Sequence, residues 1–443
     1  LYNFDKSKVL NDPKLFKKLS GEILVNGSKN ATVAILAASL LNEGKTILKN
    51  VPQIEEVNRW LEVLESLGVI IEKEGKQLTL IPPKKINLKR IDEAAAKKTR
   101  SVILLIGALA GKIKKYSIPQ AGGCKLGKRT VAPHLFVLEN FGLKIKTNKT
   151  NYEIDASRFS PAGEFVLYES GDTVTETALL AAAQTEAKTI IRMATSNYMV
   201  QDLCFFLQGL GVKIKGIGTS TLEVIGLKKI KKETVYTISE DPIEAMFFIA
   251  LAITTGSKLL IKRCPIEFLE LELLKLKKMG QRFEIKKKYF SVNRKTRLVD
   301  LEIIPSKLIA PEEKIHALPF PGLNQDNLPF FVPICMKAKG RTLIHDWAFE
   351  NRAVYFTELN RLGGKITLLD PHRVYVEGPI KFSKAEMMAP PALRPAAIIL
   401  VAMLAAPNKS VLKDVYSINR GYENIAERLR GLGAEIKMIN GEK

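Results

Sequence analysis

The apolar positions of the chain fall into two patterns that alternate along its length. The first is a run of small and branched apolar residues with no polar face. It ends at a charged or polar turn and enters a β-rich stretch: AILAASLLNEGKTILKNV, LIGALAGKIKKYSI, ALLAAAQTEAKTIIRM, FFIALAITTGSKLLIKR, FFVPICMKAKGRTLIHD and AIILVAMLAAPNKSVLKDV. A helix that is apolar all round belongs in a core, so these runs predict buried helices, each followed by a strand. The second pattern is an amphipathic stretch, an apolar residue, a glycine and a β-rich run. It reads LESLGVIIEK at Gly68, LENFGLKIKT at Gly142, LQGLGVKIKG at Gly211, LKKMGQRFEI at Gly280, LNRLGGKITL at Gly363 and LRGLGAEIKM at Gly433. Leu61, Leu64 and Leu67 lie at helical spacing before the first of these glycines. A glycine just past a helix end tolerates positive φ, so each phrase predicts a helix, a C′ glycine and a strand.

The two patterns combine into one unit of buried helix, strand, exposed helix and strand, repeated six times at about 70-residue intervals, longer before Gly363. With 443 residues the chain exceeds one ordinary core, and two domains of about 200 residues are expected. Two groups of three units, each with its own helical core, is the simplest packing. The expected fold class is α/β (α+β), with helices inside and strands outside. The expected domains are residues 29–239, and residues 1–28 with 240–443 as a discontinuous second domain. A strand near Glu22–Asn26 is expected to pair with the last unit.

Composition adds limits. No apolar run approaches the roughly 20 residues of a membrane span; the longest, Ala396 to Ala406, follows Arg394. The first residues, LYNFDKSKVLND, carry no apolar signal segment, so a cytoplasmic address is expected. The net charge of +22 suits small anionic substrates, nucleic acid or a membrane surface. The lysines are dispersed, often as pairs such as Lys84-Lys85 and Lys277-Lys278, with no basic block interleaved with aromatics. Small anions are therefore favoured, and neither nucleic acid nor a membrane is expected as partner. Nothing marks an oligomer interface, so a monomer is expected. The four cysteines form no C-x-x-C pair and no histidine has zinc-ligand spacing, so no metal or disulfide is expected. Cys204, Cys264 and Cys335 read as inert buried thiols. Cys124 differs: it sits in AGGCKLGKR, where three nearby cations depress a thiol pKa and glycines leave a loop mobile.

The six units, with GSKNA at Gly27–Ala31, GGCKLGKR at Gly122–Arg129, FENR at Phe349–Arg352 and NRGYE at Asn419–Glu423, resemble the enolpyruvyl transferase family from about residue 20 to 438. The GGC loop is similar to its sugar-nucleotide branch rather than its shikimate-phosphate branch. The resemblance implies a two-domain inside-out α/β barrel. It also implies transfer of the 1-carboxyvinyl group of phosphoenolpyruvate to the 3-hydroxyl of UDP-N-acetylglucosamine, which opens peptidoglycan synthesis and so serves cell shape and division. No metal or organic cofactor is implied. Lys29, Arg129, Arg352, Arg394 and Arg420 would hold the phosphate and carboxylate of phosphoenolpyruvate, for which Arg supplies bidentate geometry. They lie in separate units, so closure of the two domains would be needed to gather them. Lys29 and Asn30 open a helix, whose free N–H groups also favour an anion; a plain N-cap at Ser28 accounts for the same residues. Asn30, Arg100 and Ala348 would contact the acceptor. Cys124 would protonate the methylene carbon, and Asp326, in LPFPGLNQDNLPFF, would take the hydroxyl proton; a helix N-cap is the alternative for Asp326.

The chain departs from the family pattern on the nucleotide side. Gly171-Asp172-Thr173 stands for a Ser-Val-Gly element at the uridine phosphates, Ala132 for an Asp, Asn197 for a Glu, Ala392 for an Asp, and Glu55-Glu56 for a Lys–Asp pair. His134, Asp202, Asp241, Glu244 and Glu350 agree with it. Two other readings stay open: a transferase acting on another hydroxyl acceptor, and a non-catalytic anion-binding homologue.

Overall fold

The computed structural model describes residues 8–11 as backbone, and residues 18–120, 122 and 130–439. The six apolar runs form the helices Lys29–Ser39, Leu104–Leu109, Asp172–Ala182, Pro242–Thr255, Phe331–Cys335 and Leu393–Leu404. Every residue of Pro242–Thr255 is buried, as its all-round apolar sequence requires. The described residues fall into two compact units, one of residues 27–122 and 130–239, the other of residues 8–11, 18–26 and 240–439. Each holds three of the six helices. The chain passes between units at 26/27 and again at 239/240.

All six repeat glycines adopt positive φ, from 81° at Gly142 to 104° at Gly211. Each closes its helix with the same pair of bonds. At the first, the N–H of Gly68 donates to the carbonyl of Glu65 (2.9 Å) and that of Val69 to Leu64 (3.1 Å); at the last, Gly433 donates to Arg430 (2.8 Å) and Ala434 to Leu429 (3.0 Å). This is the Schellman closure, which satisfies two otherwise orphan carbonyls and turns the chain into the next strand. The acceptor of the outer bond is a leucine every time: Leu64, Leu138, Leu207, Leu276, Leu359 and Leu429. The fifth unit differs in one respect, since its exposed helix, Ala353–Leu362, is a 3₁₀ helix.

Six sheets form among the described residues, one for each repeat, five of four strands and one of three. In the first, Thr46–Lys49 leaves the buried helix and pairs antiparallel with Gln77–Ile81 and parallel with Thr234–Thr237. The parallel partner returns from the end of the third repeat, so the first and third repeats share a sheet.

One strand pairs otherwise than the sequence suggests. Ser20–Leu24 runs parallel to Lys258–Pro265 of the fourth repeat, with Ser20 opposite Lys258 and Leu24 opposite Lys262, and not beside the last repeat. The last sheet is completed by Lys8–Asn11, which lies antiparallel between Ser410–Lys413 and Ile436–Ile439. Elsewhere a strand following the glycine hairpin fills that middle place. No such strand follows Ile436–Ile439 among the described residues, and the first described strand takes the position. Pairing at such sequence distance leaves no periodic trace.

Candidate active site

Within the unit of residues 240–439, three expected site residues meet. Arg352 is 1% exposed and forms a two-pronged ion pair with Asp346, which is 0% exposed; its Nη2 donates to Asp346 Oδ1 (2.9 Å) and to the carbonyl of Gln325 (2.6 Å), and its Nε to Asp346 Oδ2. The guanidinium carbon lies 3.8 Å from the centre of the Phe349 ring. Arg352 Nη1 is 3.8 Å from Asp326 Oδ1, and Arg394 Nη2 is 3.3 Å from Asp326 Oδ2. Arg394 is the second residue of the buried helix Leu393–Leu404 and also donates to Tyr422 Oη (3.0 Å). One carboxylate thus stands between two guanidinium groups.

Asp326 reaches that position on an anchored loop. Buried Glu272 accepts from the N–H of Asn324 (3.1 Å) and from Asn327 Nδ2 (2.9 Å), while Asn324 Oδ1 accepts from the N–H of Asp326 (2.8 Å). The helical turn Leu328–Phe330 starts after Asn327, so Asp326 is not its N-cap. Burial raises the carboxyl of Glu272 against the pull of these donors. Burial likewise raises Asp346, with Arg352 opposing, and lifts the Tyr422 hydroxyl to about 12. Arg420 is half-buried at the end of Tyr416–Asn419, two residues before Tyr422, and half-buried Ala348 lies in the turn between Asp346 and Arg352. Glu244 and Arg428 are paired in the same unit, and Glu244 also accepts from the N–H of Asn26 (2.8 Å).

The unit of residues 27–239 holds the expected residues Lys29, Asn30 and Arg100. Ser28 caps Lys29–Ser39, its Oγ accepting from the N–H of Ala31 (3.2 Å). Gly27 is required there, because a Cβ would stand 1.8 Å from the carbonyl oxygen of Asn50. Asn30 Nδ2 donates to Tyr198 Oη (3.0 Å). Tyr198 opens the helix Tyr198–Gly209, capped by Asn197, and Asn197 Nδ2 donates to Asp172 Oδ2 (3.1 Å). Thr195 Oγ1 donates to Asp172 Oδ1 (3.0 Å). Two departures from the family pattern, Asp172 and Asn197, are therefore bonded to each other. One helical turn beyond Asp172, Glu176 is fully buried. Burial first, and the Asp172 charge second, raise its carboxyl well above the ordinary range, with Lys29 opposing. On another side of the same helix His134 Nδ1 is 2.9 Å from Thr177 Oγ1, and burial, helped by the Arg100 charge, lowers its imidazole to about 3. Arg100 Nη2 donates to the carbonyl of Thr130 (3.2 Å).

Cys124 and Arg129 lie outside the described residues. Gly122 before them is required by contact: a Cβ would stand 1.6 Å from the carbonyl oxygen of Lys97. The other three cysteines are buried and free, and burial raises the thiols of Cys264 and Cys335 to about 12. Asp346, Glu272, Tyr422 and Glu176 were not found from the sequence. Asp346 had a local signal, an acid six residues before Arg352 in DWAFENR, and so did Tyr422, inside the NRGYE phrase.

The family model for EPSP synthase (3-phosphoshikimate 1-carboxyvinyltransferase) matches residues 14–429. UDP-N-acetylglucosamine 1-carboxyvinyltransferase of Treponema denticola is 33% identical over 422 residues, covering 95% of this chain and 97% of that one. The enzyme of the same name from Borreliella burgdorferi is 32% identical over 96% of this chain and 98% of that one. Among solved structures, the enolpyruvyl transferase NikO from Streptomyces tendae superposes with a TM-score of 0.84 at 22% identity, over 99% of this chain and all of that one. EPSP synthase from Acinetobacter baumannii superposes with a TM-score of 0.72 at 18% identity, over 98% of this chain and 100% of that one. These likenesses establish the two-domain inside-out α/β fold, and the chain belongs to the enolpyruvyl (1-carboxyvinyl) transferase family, among the UDP-N-acetylglucosamine 1-carboxyvinyltransferases.

Proposed function

We propose that the chain transfers the 1-carboxyvinyl group of phosphoenolpyruvate to the 3-hydroxyl of UDP-N-acetylglucosamine and releases phosphate, the opening step of peptidoglycan synthesis. The observation that carries the reading is the Asp326 carboxylate set between Arg352 and Arg394. A carboxylate is suited to take a proton from an attacking hydroxyl, and two guanidinium groups beside it are suited to orient the carboxylate of phosphoenolpyruvate. In the proposed sequence the acceptor hydroxyl oxygen adds to C2 of phosphoenolpyruvate and its proton passes to Asp326. Cys124 gives a proton to C3. The Cys124 thiolate then takes a proton back from the new methyl group. The C–O bond to phosphate breaks with its electron pair on the departing phosphate, which takes up the proton held by Asp326, and the double bond re-forms between C2 and C3. Lys29, Arg129 and Arg420 hold the phosphate, Arg352 and Arg394 the carboxylate, and Asn30, Arg100 and Ala348 the acceptor. Asp172 accepts from Thr195 and Asn197, two neutral donors that fix its direction and leave its charge in place.

Phosphate release from phosphoenolpyruvate, assayed with and without UDP-N-acetylglucosamine, tests the reading. Release that depends on the nucleotide sugar, with a product heavier by one carboxyvinyl group, is expected. Release with a different hydroxyl acceptor only, or with none, overturns it. Cys124→Ser is expected to abolish covalent labelling by an epoxide analogue of phosphoenolpyruvate. Persistent labelling of that variant removes Cys124 from the role.

A further inference from the structure

The fourth repeat carries a hairpin that its sheet does not need. Its strands, Arg282–Phe290 and Arg297–Ile304, are 9 and 8 residues long, whereas the matching hairpin of the fifth repeat has strands of 6 and 6. The neighbouring strand Lys258–Pro265 ends where Pro265 faces Leu298, so the pair Phe290–Arg297 and the turn beyond it extend past the sheet. The turn is closed by its own hydrogen bonds: Ser291 N–H donates to Thr296 O (2.9 Å), Thr296 N–H to Ser291 Oγ (3.0 Å) and Lys295 N–H to Asn293 Oδ1 (3.0 Å). At this tip two large apolar side chains face solvent, Phe290 at 63% and Val292 at 72% exposure.

Along the hairpin tip itself the chain carries charge of one sign. From Ile285 to Arg297 the chain has six basic residues and no acidic one. Lys286 and Arg297 are ion-paired with Glu284, Glu302, Glu267 and Glu270, while Lys288, Arg294 and Lys295 are exposed beside Phe290 and Val292. Arg282–Phe290 is also the edge of its sheet, and lysines on an edge strand ward off pairing with other chains. That duty accounts for the lysines and leaves the exposed phenylalanine and valine unexplained. An apolar tip ringed by cations fits a surface that is anionic at its face and apolar just beneath.

We propose that this hairpin docks the protein on an anionic lipid surface. Phe290 and Val292 enter the acyl boundary, and Lys288, Arg294 and Lys295 meet the lipid phosphates. No described helix is long and apolar enough to cross a membrane, so the attachment is peripheral and reversible. Nucleic acid is the less fitting partner: Phe290 alone offers a base a ring to stack on, and Val292 beside it would stay in water.

Co-sedimentation of the full chain with vesicles tests this, using phosphatidylglycerol mixed with phosphatidylcholine against phosphatidylcholine alone. Binding to the anionic vesicles only, weakening as salt is raised, is expected. The double variant Phe290→Ser/Val292→Ser should bind about tenfold more weakly. Lys288→Glu/Lys295→Glu should lose more, at about fivefold for each basic residue removed. Both variants should keep the wild-type melting transition and phosphate-release activity. No binding to anionic vesicles overturns the proposal, as does equal binding of wild type and both variants, or equal binding to neutral vesicles. Binding to single-stranded RNA that the serine variant leaves unchanged overturns it too.

Discussion

In the unit of residues 240–439, the buried carboxylate Asp346 and the half-buried Asp326 meet guanidinium groups. In the unit of residues 27–239, Asp172 meets a hydroxyl and an amide, and Glu176, one turn further, is buried in the helical core. The first arrangement fixes charge: Asp346 and Asp326 each have a cation that cannot lose its proton, and the Asp346–Arg352 pair is two-pronged. The second removes charge at Glu176, because a carboxyl taken out of water is held in its neutral form until the pH rises well above the usual range. A site for a doubly negative three-carbon substrate gains from the first device, which keeps arginines aimed before the substrate arrives. The second keeps a negative charge from accumulating near Lys29.

Replacing Arg352 should break the first arrangement with the largest effect. Arg352→Met leaves Asp346 buried without its cation, and a loss of about 3–5 kcal/mol in urea denaturation is expected. A change below 1 kcal/mol, roughly the size of a surface pair, would mean that the ion pair is not buried as described. Glu176→Gln sharpens the contrast through pH. The folded carboxyl is raised above its ordinary value of 4.5, so the native state binds more protons than the unfolded state above that pH. Stability contributed by neutral Glu176 is whole below about 4.5 and falls as pH rises toward the folded value, by about 1.4 kcal/mol per pH unit for this one group. Glu176→Gln should therefore flatten the pH dependence of the melting temperature above 4.5. Parallel curves for wild type and variant would place a charged Glu176 in the core. The smallest effect belongs to Asp172→Ala, which frees Thr195 and Asn197 of their acceptor and should cost about 1 kcal/mol. A change in the Michaelis constant for UDP-N-acetylglucosamine, with that for phosphoenolpyruvate unchanged, would show that the Asp172–Asn197 pair shapes the acceptor side.

The repeat architecture was legible because its signals are local. A glycine such as Gly68 reports its own φ, and the leucine four residues before it accepts the closing bond. A helix such as Pro242–Thr255 reports its burial through the absence of a polar face. GSKNA and FENR were legible for the same reason, as short contiguous phrases. What escaped depends on distant pairings. Lys8–Asn11 lies beside Ser410–Lys413, Glu272 holds a loop more than 50 residues onward, and Asp172 meets Asn197 across 25 residues. Nothing local names these partners, and only the fold supplies them. Gly122 shows the converse, since a glycine read as loop mobility is required by the approach of the Lys97 carbonyl.

The most direct measurement is steady-state phosphate release from phosphoenolpyruvate at saturating UDP-N-acetylglucosamine, for wild type beside Asp326→Asn. If Asp326 takes the hydroxyl proton, turnover falls by about 100-fold or more while the melting transition stays in place. Equal turnover in the two proteins would contradict that role and detach the arginine-flanked carboxylate from the chemistry.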